Sequence, residues 1–207
     1  MRISTKTLLA AAALAVMPMM ANAESTYTTG TGTPITASAR LDFQITVPKI
    51  LFLRVGTGAD FTTNAAINLI TFNVPAANLG DGTPVAATAG SGDVGNGTVT
   101  AKVVGNNGNV TFTSTTLGAL GNGAGDTISY GQIGTAVAAL TSPTALPHPA
   151  LVDGATSTLT LTPVSGKVVN RDARWTYTYA NSAVAAPGTY GGVGVNNGRV
   201  TYTASMP

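Results

Sequence analysis

Cysteine is absent from the 207-residue chain. Disulfides and thiolate metal centres are therefore excluded, and stability has to come from packing and strand pairing. Histidine occurs once, at His148, and tryptophan once, at Trp175. A Ser-His-Asp arrangement would have to use His148. That residue sits between Pro147 and Pro149 in a segment read as a loop, where a solvated role is expected. Charged residues make up 9% of the chain, against about 25% in ordinary globular proteins. Low charge weakens the usual defence against self-association. No stretch beyond the first residues holds a 3.6-residue apolar period over three turns, which argues against helices.

The chain begins MRISTKTLLAAAALAVMPMMANA. A basic start at Arg2 and Lys6, an apolar run over Leu8–Val16 and a small-x-small site at Ala21-Asn22-Ala23 read as a secretory signal peptide, residues 1–23. The apolar run is too short to span a bilayer, so the protein is expected to be exported and not membrane-spanning. Export places it in the periplasm, on the cell surface or outside the cell. Removing Arg2 and Lys6 from the 10 basic residues leaves 8, against 8 acidic. With no net charge there is no electrostatic case for a nucleic-acid partner.

What remains is rich in Gly, Thr, Ser and Asn. Residues 24–34, ESTYTTGTGTP, read as a flexible leader. Residues 35–207 read as a single β-sandwich domain, all-β and Ig-like or jelly-roll-type, with about eight to ten short strands between Gly, Pro and Asn turns. Thr98–Val104 and Asn109–Thr115 are expected to pair as a hairpin across Gly105–Gly108. Ala173, Trp175, Tyr177 and Tyr179 alternate with polar residues and give a strand with an aromatic core face. A sugar platform is the other reading of these aromatics, together with Tyr190 and Tyr202. Residues 136–140 are left open between a helical turn and a loop.

The most regular pattern lies at Ile35–Val47. Ile35, Ala37, Ala39, Leu41, Phe43, Ile45 and Val47 are apolar, and every residue between them is polar. Strand side chains alternate between faces, so this reads as one long strand with a dry face, about 43 Å at ~3.3 Å per residue. Pro48 then removes a backbone donor. Near the other end, Val200, Tyr202 and Ala204 share a face of the last expected strand, Arg199–Ser205.

Chemistry is sparse. Gly90–Gly95 matches G-x-G-x-x-G, but a dinucleotide site needs a strand before it and a helix after it, and loop is expected on both sides. The aspartates are isolated in sequence, most beside glycine in turns, where Asp has a structural use. Asp81 and Asp93 could ligate calcium, although no EF-hand or nonapeptide repeat is present. No catalytic residue, metal ligand or cofactor is assigned. Aromatics at 6% are sparse for the girdles of an outer-membrane barrel.

The alternating N-terminal strand, the leader before it and the alternating last strand together resemble the exported subunits of chaperone–usher fimbriae. The resemblance is to the cysteine-free, α-type branch, whose late G-x-Y element would here be Gly188-Thr189-Tyr190. It implies that Ile35, Ala37, Ala39, Leu41, Phe43, Ile45 and Val47 form a donor face that completes the sandwich of another copy. It also implies that Val200, Tyr202 and Ala204 lie on the strand a periplasmic chaperone holds. Pro48 and the apolar run Ile50–Val55 depart from that pattern and leave a second reading open, in which Ile35–Val47 is the first strand of a self-complete sandwich. The functional alternative is a monomeric secreted binding module for carbohydrate or another surface ligand.

Overall fold

A computed structural model describes residues 24–207. The signal-peptide reading, residues 1–23, lies outside the described residues. The chain divides into two units, Met1–Val47 and Pro48–Pro207.

In the first unit the chain doubles back on itself. Arg40 Nε donates to Glu24 Oε2 at 2.6 Å and Thr26 Oγ1 to the Ser38 carbonyl at 2.7 Å. The Ile35–Val47 strand is not formed: no residue there belongs to a strand or a bridge. Period-two patterning fixes which face would be dry, but a strand exists only when its backbone N–H and C=O groups meet a partner ladder.

The second unit holds all ten strands of the described residues, and every pairing is antiparallel. One sheet contains β1 (Leu51–Val55), β3 (Thr98–Gly105), β9 (Val169–Tyr179) and β7 (Ile133–Ala139) in that order, with the two-residue β2 (Val85–Ala86) also on β9. The other sheet is β10 (Thr201–Ser205), β4 (Val110–Thr115) and β8 (Thr156–Leu161). A small ribbon joins β5 (Leu120–Gly121) and β6 (Thr127–Ile128). The architecture is the all-β sandwich the sequence implies, with the strands beginning at Leu51 and not at Ile35.

Alternation builds the core. Val99, Ala101 and Val103 of β3 face Val110 and Phe112 of β4, with Ala173, Trp175 and Tyr177 of β9 beside them. Trp175 is fully buried, stacks on Phe112 at 6.1 Å and donates its indole N–H to the Leu146 carbonyl at 2.9 Å. The aromatics at 175, 177 and 179 are therefore core, as their spacing indicates, and not a sugar platform.

Two local expectations fail. Strands β3 and β4 do not form a hairpin: β3 pairs with β1 and β9, and β4 with β10 and β8. The Asn-Gly turn, with Gly108 at φ +105°, reverses the chain but carries it from one sheet to the other. Val99, Ala101 and Val103 of one strand and Val110 and Phe112 of the other all need cover, and facing layers supply it to both. Residues 136–139 are strand, the outer part of β7. Their ladder partner is β9, a distant segment that local propensity does not reveal.

Candidate functional site: an unpartnered apolar segment and an open sheet edge

Residues 24–47 carry the first candidate surface. Leu41 is 71% exposed, Phe43 85%, Ile45 86% and Val47 72%. Ile35, Ala37 and Ala39 are exposed as well. An exposed Leu alone would mean nothing, but a run of alternating apolar residues with no ladder partner is a surface that water solvates poorly.

The sandwich carries the second. Strand β10 pairs with β4 from Thr201↔Thr115 to Ser205↔Thr111, and among the described residues no strand lies on its other edge. Its inward residues Tyr202 and Ala204 are only half-buried, as is Met206 just beyond it, although all three pack on the core. The inward residues of neighbouring β4, Val110 and Phe112, are fully buried. Val200 is half-buried and precedes the strand. Among the described residues strand β1 also pairs with β3 alone, and it approaches β10 from the opposite sheet. A sandwich edge bounded by two singly paired strands leaves backbone donors and acceptors unused and inward side chains incompletely covered.

One turn fixes both bounding strands. Asn106 Nδ2 donates to the Pro48 carbonyl at 2.7 Å, and its Oδ1 accepts from Ile50 N–H at 2.9 Å. Asn107 Nδ2 donates to the Pro207 carbonyl at 2.6 Å. Below this turn Gly105 lets Leu51 and Met206 come close. A Cβ there would lie 3.4 Å from Leu51 Cδ1 and 3.1 Å from Met206 Sδ.

His148 is not the solvated loop residue the sequence suggests. Its Nε2 lies 2.7 Å from Tyr202 Oη and 3.1 Å from Tyr177 Oη, and the two hydroxyls are 3.2 Å apart. Its ring meets Trp175 edge-on at 4.6 Å. The cluster joins β9 of one sheet to β10 of the other through the connection between β7 and β8. Burial pushes the His148 pKa down to about 4, with a backbone contact to Pro149 opposing. Burial pushes Tyr177 up to about 12 and Tyr202 well above its ordinary value. The proline on each side hid this placement, because proline marks a loop but not whether the loop crosses the core.

A cleft of about 340 Å³ opens beside β7, bordered by Tyr130, Ile133, Thr135, Val137, His148 and Leu151. Tyr130 closes one end. Its hydroxyl donates to the Asn197 carbonyl at 2.7 Å, and its N–H donates to Asp153 at 2.7 Å.

The remaining acids of the sandwich have protein partners. Asp60 pairs with Arg54 and Lys102. Asp81 accepts from Asn78 and from Thr83 N–H, Asp93 from Thr100 N–H, and Asp126 from Asn122. Asp172 accepts from Thr141 and from Ser142 N–H. Among the described residues, no group of three His, Cys, Asp or Glu could hold a metal ion. The Gly90–Gly95 motif lies in the turns between β2 and β3, with no helix after it. No described helix is long and apolar enough to cross a membrane. Comparison with family models, curated proteins and solved structures finds no match. The fold thus defines a class, an antiparallel β-sandwich with a separate apolar N-terminal segment.

Proposed function

We propose that the protein is a structural subunit or component of a bacterial surface fibre, assembled by strand complementation between copies. Residues Ile35–Val47 of one copy add as a strand along the open edge of β10 in another. The backbone ladder supplies affinity, and the alternating apolar side chains fill the gap between β10 and β1. Before assembly a periplasmic chaperone covers the same edge, with Val200, Tyr202 and Ala204 on the strand it holds. The observation that carries this reading is a mismatch of two surfaces. Among the described residues, seven alternating apolar side chains have no ladder, while a sheet edge has half-covered apolar residues and no strand. Low charge and the absence of cysteine suit a protein that associates through backbone pairing.

Deletion of residues 24–47 tests the reading. The truncated protein is expected to keep the thermal transition of the sandwich and to lose self-association. Normal assembly by the truncated protein would overturn the donor role. Glycan binding by an intact monomer, with no polymer formed, would favour a secreted binding module instead.

A further inference from the structure

The cluster that joins β9 to β10 has a property that strand exchange does not use. We propose that His148, Tyr177 and Tyr202 form a proton-operated latch: protonation of His148 releases β10 from the opposite sheet. The inference stands without the fibre reading, because every group involved lies within the sandwich.

With His148 neutral and its proton on Nδ1, Nε2 is an acceptor. The three distances then accommodate one directed chain. Tyr177 Oη–H donates to Tyr202 Oη, and Tyr202 Oη–H donates to His148 Nε2. Each hydroxyl hydrogen has an acceptor. When Nε2 takes a proton it becomes a donor. Tyr202 must then turn its hydrogen to Tyr177, and the Tyr177 hydroxyl has no other acceptor among the described residues. Protonation therefore places a cation in a half-buried site and strands a hydroxyl hydrogen beside it, and both are costly.

Among the described residues, no carboxylate bonds to His148. The titratable groups facing His148 are Tyr177 from β9 and Tyr202 from β10, with Tyr130 across the cleft. Asp153 is engaged with the Tyr130 backbone. The ion pairs among the described residues are Glu24–Arg40, Asp60–Arg54 and Asp60–Lys102, none of them with His148. The cleft beside β7 gives solvent protons a route to the ring.

The strand that yields is β10. It has five residues and, among the described residues, one ladder partner, whereas β9 is held on both sides. The folded-state pKa is depressed, so the opened state binds the extra proton between the free-histidine value near 6.5 and about 4. Opening therefore becomes more favourable as pH falls through that window, and the closed strand is favoured above it.

Hydrogen exchange of the full chain tests this, with rates corrected for the intrinsic effect of pH. Between pH 7 and pH 4.5, protection of the β10 amides is expected to fall about tenfold or more, while protection in β3 and β9 holds. In His148→Gln, an amide oxygen accepts from Tyr202 at every pH, and the selective loss disappears. Trp175, the only tryptophan, reports the same event, because an imidazolium against its ring quenches its emission. Equal β10 protection at both pH values in the wild type overturns the latch whether or not the variant folds. So does the same selective loss in His148→Gln.

Discussion

The Asn106 side chain holds the backbone on both sides of Lys49, accepting from Ile50 N–H and donating to the Pro48 carbonyl. Asn106 lies in the turn between the two sheets, and Pro48 is the first residue after the apolar segment. The start of β1 is thus set by a residue more than fifty positions away. Asn106→Ala removes both bonds and is expected to destabilise the sandwich by about 1–2 kcal/mol. Asn106→Asp keeps the acceptor for Ile50 N–H but sets a carboxylate oxygen against the Pro48 carbonyl, so it should cost at least as much. Urea unfolding with a fixed m-value measures both.

Trp175 should be the most sensitive position in the core. Trp175→Ala leaves a large cavity between Phe112 and Tyr202 and should cost about 3–5 kcal/mol. Trp175→Phe keeps part of the volume but leaves the Leu146 carbonyl without its indole donor, so its loss should be smaller yet measurable by calorimetry.

Asp172 gives the sandwich an acid limit. Burial alone would raise its pKa, but hydrogen bonds from Thr141 and Ser142 outweigh burial and hold it at about 2. A carboxylate whose folded pKa is depressed contributes stability above its unfolded pKa, near 3.9, and loses that contribution as pH falls towards 2. Wild-type thermal stability should therefore fall between pH 4 and pH 2. Asp172→Asn should be less stable than wild type at pH 7 and show a shallower fall across that range. Parallel melting curves for the two proteins would contradict the assignment.

Charge on the apolar face of residues 35–47 should act on association and not on folding. Leu41→Asp or Phe43→Asp is expected to leave the melting temperature of the sandwich within about 2 °C of wild type. Self-association should fall at least tenfold. Sedimentation equilibrium and a thermal melt on the same sample separate the two effects.

How far the sequence could be read depended on whether a feature was local. The face of β9 was plain because Ala173, Trp175, Tyr177 and Tyr179 alternate, and alternation alone determines which side is dry. The partners of β3 and β4 were not, because an Asn-Gly turn specifies reversal and not whether the strands share a sheet. The surroundings of His148 are hidden from the sequence for a related reason. Its burial depends on Tyr177 and Tyr202, distant in sequence, and a proline-flanked loop carries no trace of them. Ile35–Val47 shows the same limit in its strongest form: the pattern states which side chains seek cover, but not what covers them.

Photo-crosslinking most directly tests whether another copy supplies that cover. With benzoylphenylalanine in place of Phe43 in the full chain, the account predicts intermolecular crosslinks mapped by mass spectrometry to residues 200–206 and to β1. Crosslinks confined to the same copy, or intermolecular ones that avoid both strands, would contradict it.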